Sequence, residues 1–128
     1  MRKVLFIGVD NLYLKALLDM LSPNKQSLIE SFSAMCLDDV IQIATENPDI
    51  SIVFFMGYIL TLEDGGSFEA NICVATSLKK ILKFETIFFA ATGEDDTDKK
   101  LKEIGCNVIR PFERVNEKIR DILQDGLY

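Results

Sequence analysis

The stretch VLFIGV at residues 4–9 is a continuous apolar run of strand-forming residues, with no polar residue alternating inside it. The stretches ISIVFFM at residues 50–56 and TIFFAA at residues 86–91 have a similar character. A strand that is covered on both faces needs apolar side chains on both of them, so these runs predict a parallel sheet between layers of helices. The sequence therefore predicts an α/β protein built around three buried strands.

Apolar residues at helical spacing predict the helices between the strands. The apolar stripes are Leu14, Leu17, Leu18 and Leu21; Leu37, Val40, Ile41 and Ala44; Leu78, Ile81 and Leu82; and Val115, Ile119, Ile122 and Leu123. Residues 27–33 and 107–109 predict two shorter strands, the first of them at a sheet edge, and residues 98–104 predict a short helix. Strict alternation of strand and helix implies right-handed crossovers and one parallel sheet with helices on both faces.

The composition is that of one globular domain over residues 1–128, with 48% hydrophobic and 27% charged residues. The net charge of −6 argues against nucleic acid and anionic membrane as partners. No apolar run approaches the about 18 residues of a membrane span, and we expect a cytoplasmic protein. The absence of histidine excludes a histidine base, a histidine metal ligand and a phosphohistidine. The three cysteines Cys36, Cys73 and Cys106 predict buried free thiols.

Ligands of open α/β sheets bind beyond the carboxyl ends of the strands, so the residues there carry the information about function. Two motifs beside the strands carry a resemblance to a known family. Asn47-Pro48-Asp49 precedes the third strand, and Gly105 and Arg110-Pro111-Phe112 flank the last strand. The chain resembles the receiver domains of bacterial two-component response regulators. The resemblance covers the chain from Lys3 to about Leu123. It implies strand order 2-1-3-4-5 in a flavodoxin-like, three-layer sandwich.

The resemblance does not extend to the chemistry of that family. Receivers hold Mg²⁺ with two acidic residues after the first strand, where this chain has Gly8 and Val9, with Asp10 one place beyond. Counting from Pro48 puts Phe54 at the phosphoacceptor position. Ala90 stands where receivers have Thr or Ser, and Arg110 where they have Lys. A degenerate phosphorylation pocket is therefore expected from Gly8, Val9, Asp10, Phe54, Ala90 and Arg110, with no catalytic residue, no bound metal and no cofactor.

The main hypothesis is a non-enzymatic signalling module that works by phosphorylation-independent contact with a signalling protein or with a second copy of itself. In the resembled family the fourth helix, last strand and last helix supply such surfaces. The equivalent candidates here are Lys99, Lys102, Asn107, Ile109 and Arg114. Two alternatives stay open: a phosphoacceptor on a displaced carboxylate, Asp10 or Asp64, and a sensor that binds a small ligand in an apolar crevice.

Several local expectations accompany these hypotheses. Asp10 is expected to cap the first helix. Arg110 is expected to pair with Asp10 or a nearby carboxylate, and the Arg110–Pro111 peptide bond is expected to be cis, as it often is in the resembled family. Phe54 and Phe55 face opposite sides of their strand, either as core residues or with one of them anchoring a partner in the crevice. The acidic run at residues 94–96 is expected in a loop that favours the next helix.

Overall fold

The computed structural model describes residues 2–61, 65–83 and 85–126. The strands are β1 (Arg2–Ile7), β2 (Ile29–Ala34), β3 (Ile52–Phe55), β4 (Ile87–Ala90) and β5 (Asn107–Val108). The helices are α1 (Asn11–Asp19), α2 (Pro23–Gln26), α3 (Leu37–Glu46), α4 (Ala70–Ile81), α5 (Asp95–Glu103) and α6 (Val115–Asp125), and a single 3₁₀ turn (Phe112–Arg114) precedes α6.

The five strands form one parallel sheet in the order β2-β1-β3-β4-β5, which confirms the predicted architecture. The register pairs Phe6 with Phe54 and Phe54 with Phe89, so aromatic side chains line up across the three central strands. Because successive strand residues face opposite sides, the neighbouring Phe55 belongs to the other face.

Each face of the sheet carries its own apolar core. Alternate strand residues pack with α3, α4 and α5 on one face, through residues that include Val40, Val74 and Leu101. The other strand residues pack with α1 and α6, through residues that include Leu14 and Ile119. This is the three-layer, flavodoxin-like arrangement that the uninterrupted apolar runs predict.

The element boundaries differ from the sequence prediction in places. Helix α5 begins at Asp95, three residues before the predicted start, because the side chain of Glu94 caps it by accepting hydrogen bonds from the backbone of Asp96 and Thr97. The acidic run therefore forms the cap and first turn of α5 rather than a loop. Helix α2 was not predicted: Ser22 caps it and Pro23 occupies its first turn, where proline is tolerated.

The three cysteines differ in burial. Cys106 is buried, Cys36 is half-buried and Cys73 is exposed on α4, so the expectation of three buried thiols is wrong for Cys73. Burial raises the pKa of the Cys106 thiol to about 11, and the nearby Lys79 ammonium opposes this effect. Among the described residues, no helix is both long and apolar enough to cross a membrane.

Candidate functional site at the carboxyl edge of the sheet

An open cavity of about 440 Å³ lies at the carboxyl edge of the sheet, where ligands of this architecture bind. The loop after β1 contributes Gly8, Val9 and Asp10, and the loop after β3 contributes Met56, Gly57 and Tyr58. The remaining lining residues are Tyr13, Met35, Phe68, Thr92 and Phe112. Four aromatic rings and two methionines make this a mainly apolar cavity, with Asp10 as the one carboxylate that lines it among the described residues.

The backbones of Gly8 and Gly57, which both line the cavity, lie in close contact. Gly8 has a φ of +91°, and a Cβ added to it would lie 2.7 Å from the Gly57 nitrogen. A Cβ added to Gly57 would lie 2.9 Å from the Gly8 carbonyl oxygen. The resemblance equates Gly8 with a metal-binding acid, but this backbone geometry leaves no room there for any side chain.

Asp10 caps helix α1, as the sequence predicts. Its Oδ1 accepts a hydrogen bond of 2.9 Å from the backbone N–H of Tyr13. Tyr13 in turn donates its hydroxyl to Asn116 Oδ1 on α6. Burial raises the pKa of the Tyr13 hydroxyl, and the Asn116 bond partly offsets the shift. The Asp10 carboxylate thus has a structural role at the mouth of the cavity.

The prediction that Phe54 occupies the pocket is wrong. Phe54 is fully buried inside β3, with its ring stacked between Phe6 and Phe89 at centroid distances of 5.0 and 5.1 Å. Met56, the residue directly after the strand, lines the cavity instead. Phe55 is also fully buried, in the core of the opposite face. Neither phenylalanine is available as an anchor for a partner.

The end of β4 shows a similar displacement by two residues. Ala90 is fully buried in the core beside α3 and α4 and does not line the cavity. Thr92 lines it, and its hydroxyl donates a 2.7 Å hydrogen bond to Oδ1 of Asp98. The backbone N–H of Thr92 donates to the same oxygen at 3.0 Å. The Thr92 hydroxyl is therefore already bound to Asp98 of the same chain.

Arg110 faces the carboxylates of α5. Its Nη2 lies 2.9 Å from Oδ1 of Asp95 and 3.2 Å from Oδ2 of the buried Asp98. The expected ion pair with a nearby carboxylate is confirmed, and its partners are these two residues rather than Asp10. The Arg110–Pro111 peptide bond is cis, as expected. Arg110 does not line the cavity, so of the six expected pocket residues Gly8, Val9 and Asp10 line it and Phe54, Ala90 and Arg110 do not.

The aromatic residues around the cavity were not singled out from the sequence as a site. The ring of Tyr58 meets that of Phe68 edge to face at 6.0 Å. Phe112 lies against Gly93, where an added Cβ would come within 2.8 Å of the ring. These side chains come from separate loops, which carry no periodic pattern. Only the position of each loop after a strand would have pointed to them.

The structure exposes four of the five residues predicted to form a partner surface. Lys99 and Lys102 are exposed and lie one turn apart on α5, and Asn107 and Arg114 are exposed nearby in sequence on β5 and in the 3₁₀ turn. Ile109 is buried in the core beside α6, so its assignment to the surface is wrong. The guanidinium of Arg114 binds Glu117 at 2.8 Å.

Metal binding has no support from the cavity. Among the described residues, no group of three or more Cys, Asp or Glu side chains is placed to hold a metal ion. Mg²⁺ requires several oxygen ligands in near-octahedral geometry, and Asp10 alone does not meet that requirement. Asp64, the other candidate phosphoacceptor, lies outside the described residues.

Comparison with known proteins gives no family for this chain. No protein-family model matches it, and no curated protein is significantly similar to it.

Proposed function

We propose that the chain is a receiver-like signalling module of the two-component or phosphorelay type that accepts no phosphoryl group, catalyses no reaction and acts by contact with another protein. One observation supports this most directly. The carboxyl edge of a parallel sheet in the order 2-1-3-4-5 holds a glycine contact and an apolar cavity in the place where phosphoryl transfer needs charged groups.

The chemistry of phosphoryl transfer supports the same proposal. It needs a nucleophilic carboxylate, a metal ion that neutralises developing charge and a cation on the phosphoryl oxygens. Here the Asp10 carboxylate accepts a helix-capping hydrogen bond, and the strand end carries Met56. The guanidinium of Arg110 is neutralised by Asp95 and Asp98. Within the part of the chain that the structure describes, the required groups thus do not line the cavity or are held by other partners.

The proposed partner is a signalling protein or a second copy of the chain, in the cytoplasm. A net charge of −6 makes nucleic acid and anionic lipid poor partners. The exposed residues Lys99, Lys102, Asn107 and Arg114 remain one candidate contact surface.

The test is an amide-shift NMR titration of the full chain, first with Mg²⁺ and then with beryllofluoride, which mimics a bound phosphoryl group. We expect no shift at Gly8, Asp10, Met56 or Thr92 in either step. Saturable shifts at these residues, lost in an Asp10→Asn variant, would overturn the proposal in favour of a phosphoacceptor. A mass increase after incubation with a small phosphodonor, abolished by Asp10→Asn or Asp64→Asn, would do the same and identify the residue.

The aromatic cavity favours a second candidate function, a sensor of a small apolar ligand. A volume of about 440 Å³ falls in the range of ligand pockets, which are lined mainly by hydrophobic and aromatic side chains. A ligand that binds the folded state raises the melting temperature by mass action. A small-molecule screen by thermal shift tests this function, and a Met56→Trp variant that fills the cavity is expected to abolish any stabilisation.

A further inference from the structure

Exposed large hydrophobic side chains concentrate at the carboxyl edge of the sheet. We call the following five residues the apolar rim: Leu12, Leu37, Tyr58, Leu60 and Phe112. Their exposed fractions run from 41% to 80%. Each follows the carboxyl end of a strand or lies in the first helical turn behind it. The other exposed large hydrophobic residues in the described part of the chain are Met20 and Leu28, which lie at the opposite edge. Clustered exposure of this kind marks a contact site more often than scattered exposure does.

Hydrogen bonds connect the segments that carry the apolar rim. The N–H of Leu60 donates to the Met35 carbonyl at 2.6 Å, and a β-bridge pairs Leu60 with Cys36, directly before Leu37. The side-chain Oδ1 of Asn11, next to Leu12, accepts a 2.5 Å hydrogen bond from the hydroxyl of Ser33 near the end of β2. Tyr58 and Phe112 line the cavity itself. The rim and the cavity therefore belong to one side of the molecule.

Carboxylates lie at the same edge of the sheet as the apolar rim. The acidic residues of this edge include Asp10, Asp38, Asp39, Glu69, Glu94 and Asp96, which lie at helix caps or in first helical turns. Carboxylates at these positions stabilise helix N-termini, each of which carries about half a positive charge. Two carboxylates in the first turn of α3 and several at the start of α5 exceed that half charge. The edge is therefore negative as well as apolar.

The positive side chains of this edge offset only part of that charge. Among the described residues of the loops after the strands, the cations are Arg110 and Arg114. Arg110 pairs with Asp95 and Asp98, and Arg114 pairs with Glu117. The lysines of α4 lie in its last turn, away from this edge. Lys100 on α5 pairs with Glu69 at 3.5 Å, so Glu69 adds little to the negative charge. The negative charge of the edge therefore rests mainly on Asp10, Asp38, Asp39, Glu94 and Asp96.

We infer that the carboxyl edge is the docking surface for a basic, amphipathic segment of the partner protein. This inference rests on the proposed function and names the chemistry of its partner. Leucine or aromatic side chains of the segment cover the apolar rim, and its Lys and Arg side chains meet the surrounding carboxylates and the aromatic rings. A second copy of the chain docked edge to edge would bring like charges together, which disfavours it as the occupant.

The experiment titrates the full chain, observed by amide NMR, with three synthetic helical peptides of about 14 residues, or four turns. The first combines leucines at helical spacing with lysines, the second replaces the lysines with glutamates, and the third keeps the lysines and replaces the leucines with serines. We expect the first peptide to shift Leu12, Leu37, Tyr58 and Phe112, with an affinity that falls as salt rises. No shift with the first peptide, binding of the second or the third peptide as tight as that of the first, or shifts confined to α5 and β5 would overturn the inference.

Variants at exposed positions separate this surface from general attraction to an acidic protein. The triple variant Leu12→Ser, Leu37→Ser, Leu60→Ser is expected to weaken binding of the first peptide at least about tenfold. The matched control Met20→Ser, Leu28→Ser removes exposed apolar residues from the opposite edge and is expected to bind normally. Likewise Asp38→Asn, Asp39→Asn is expected to weaken binding, and Asp19→Asn, Glu30→Gln is expected to leave it unchanged. Equal effects of the rim variants and their controls would overturn the inference.

Failure of this inference and failure of the proposed function are distinguishable in the same sample. Shifts with beryllofluoride would overturn the phosphorylation-independent function, whatever the peptides do. If neither beryllofluoride nor the lysine–leucine peptide shifts any amide signal, only the docking surface is overturned. Concentration-dependent sedimentation that the triple rim variant abolishes would assign the surface to a second copy and overturn the basic segment as its occupant.

Discussion

The carboxylate of Asp98 is almost fully buried, and its Oδ2 lies 3.2 Å from Nη2 of Arg110. The other oxygen, Oδ1, accepts hydrogen bonds from the hydroxyl and the N–H of Thr92. One side chain of α5 thus joins the loop after β4 to the loop after β5. The cation that follows β5 is thereby directed to α5 and away from the end of β3.

Replacing Arg110 tests this relationship. Arg110→Met leaves the Asp98 carboxylate buried without its cation, and we expect the free energy of unfolding to fall by about 3 kcal/mol. Arg110→Lys keeps the charge and is expected to cost less. Arg114→Met is the matched control, because the Arg114–Glu117 pair is exposed, and its cost is expected within about 0.5 kcal/mol. Urea unfolding followed by circular dichroism measures all three, and equal losses for Arg110→Met and Arg114→Met would contradict the assignment.

The sequence predicts the fold well because burial dictates its pattern. Strands covered on both faces must be apolar throughout, and residues 4–9, 50–56 and 86–91 gave β1, β3 and β4. The helical stripe of Val115, Ile119, Ile122 and Leu123 is buried as a whole. These patterns depend on contacts with an entire layer, which many substitutions satisfy.

The candidate site was less predictable, since it depends on single positions. Counting from Pro48 puts Phe54 at the phosphoacceptor position, but Phe54 lies inside β3, and Met56 after the strand reaches the cavity. Asp98 was placed at the start of a helix, and nothing in its type predicts burial, since most aspartates are exposed. Tyr58, Phe68 and Phe112 meet through loops whose paths are not encoded by periodicity.

Restoring an acid at Gly8 is expected to disrupt the fold rather than create a metal site. A side chain there requires a φ of +91° and places Cβ 2.7 Å from the Gly57 nitrogen. We expect Gly8→Asp to lower the free energy of unfolding by at least about 3 kcal/mol, from backbone strain and overpacking together. Gly65→Ala is the control: Gly65 also has a positive φ, but no atom of the described residues lies within 4 Å of an added Cβ, so only the strain of about 1 kcal/mol applies. A stable Gly8→Asp variant that binds Mg²⁺ would refute this account.

Placing a carboxylate at positions 54 and 56 is expected to give opposite results. Phe54→Asp removes a fully buried ring between Phe6 and Phe89 and buries a charge, and we expect a largely unfolded chain. Met56 is 8% exposed and packs in the core beside α1 and α6, but it also lines the open cavity, where an aspartate can reach water. We therefore expect Met56→Asp to stay folded, with a smaller loss of stability than Phe54→Asp. Amide NMR dispersion distinguishes the two. A folded Phe54→Asp variant beside an unfolded Met56→Asp variant would show that the strand end was misassigned.

The Cys106 thiol predicts a pH dependence of stability. Burial raises its pKa from the ordinary 9.0 to about 11, because the thiolate loses hydration in the folded state. The unfolded chain therefore releases this proton first as pH rises. The contribution of Cys106 to stability is complete below pH 9.0 and is lost progressively as pH approaches 11.

Urea unfolding between these pH values measures the effect against two variants. Cys106→Ala is expected to show a smaller fall in the free energy of unfolding than the native chain, because it lacks the titrating thiol. Cys73→Ala removes an exposed thiol and is expected to retain the native fall. The same burial makes Cys106 resist a thiol reagent that labels Cys73 readily in the folded chain. Identical pH profiles for the native chain and Cys106→Ala, with rapid labelling of Cys106, would show that this thiol is hydrated.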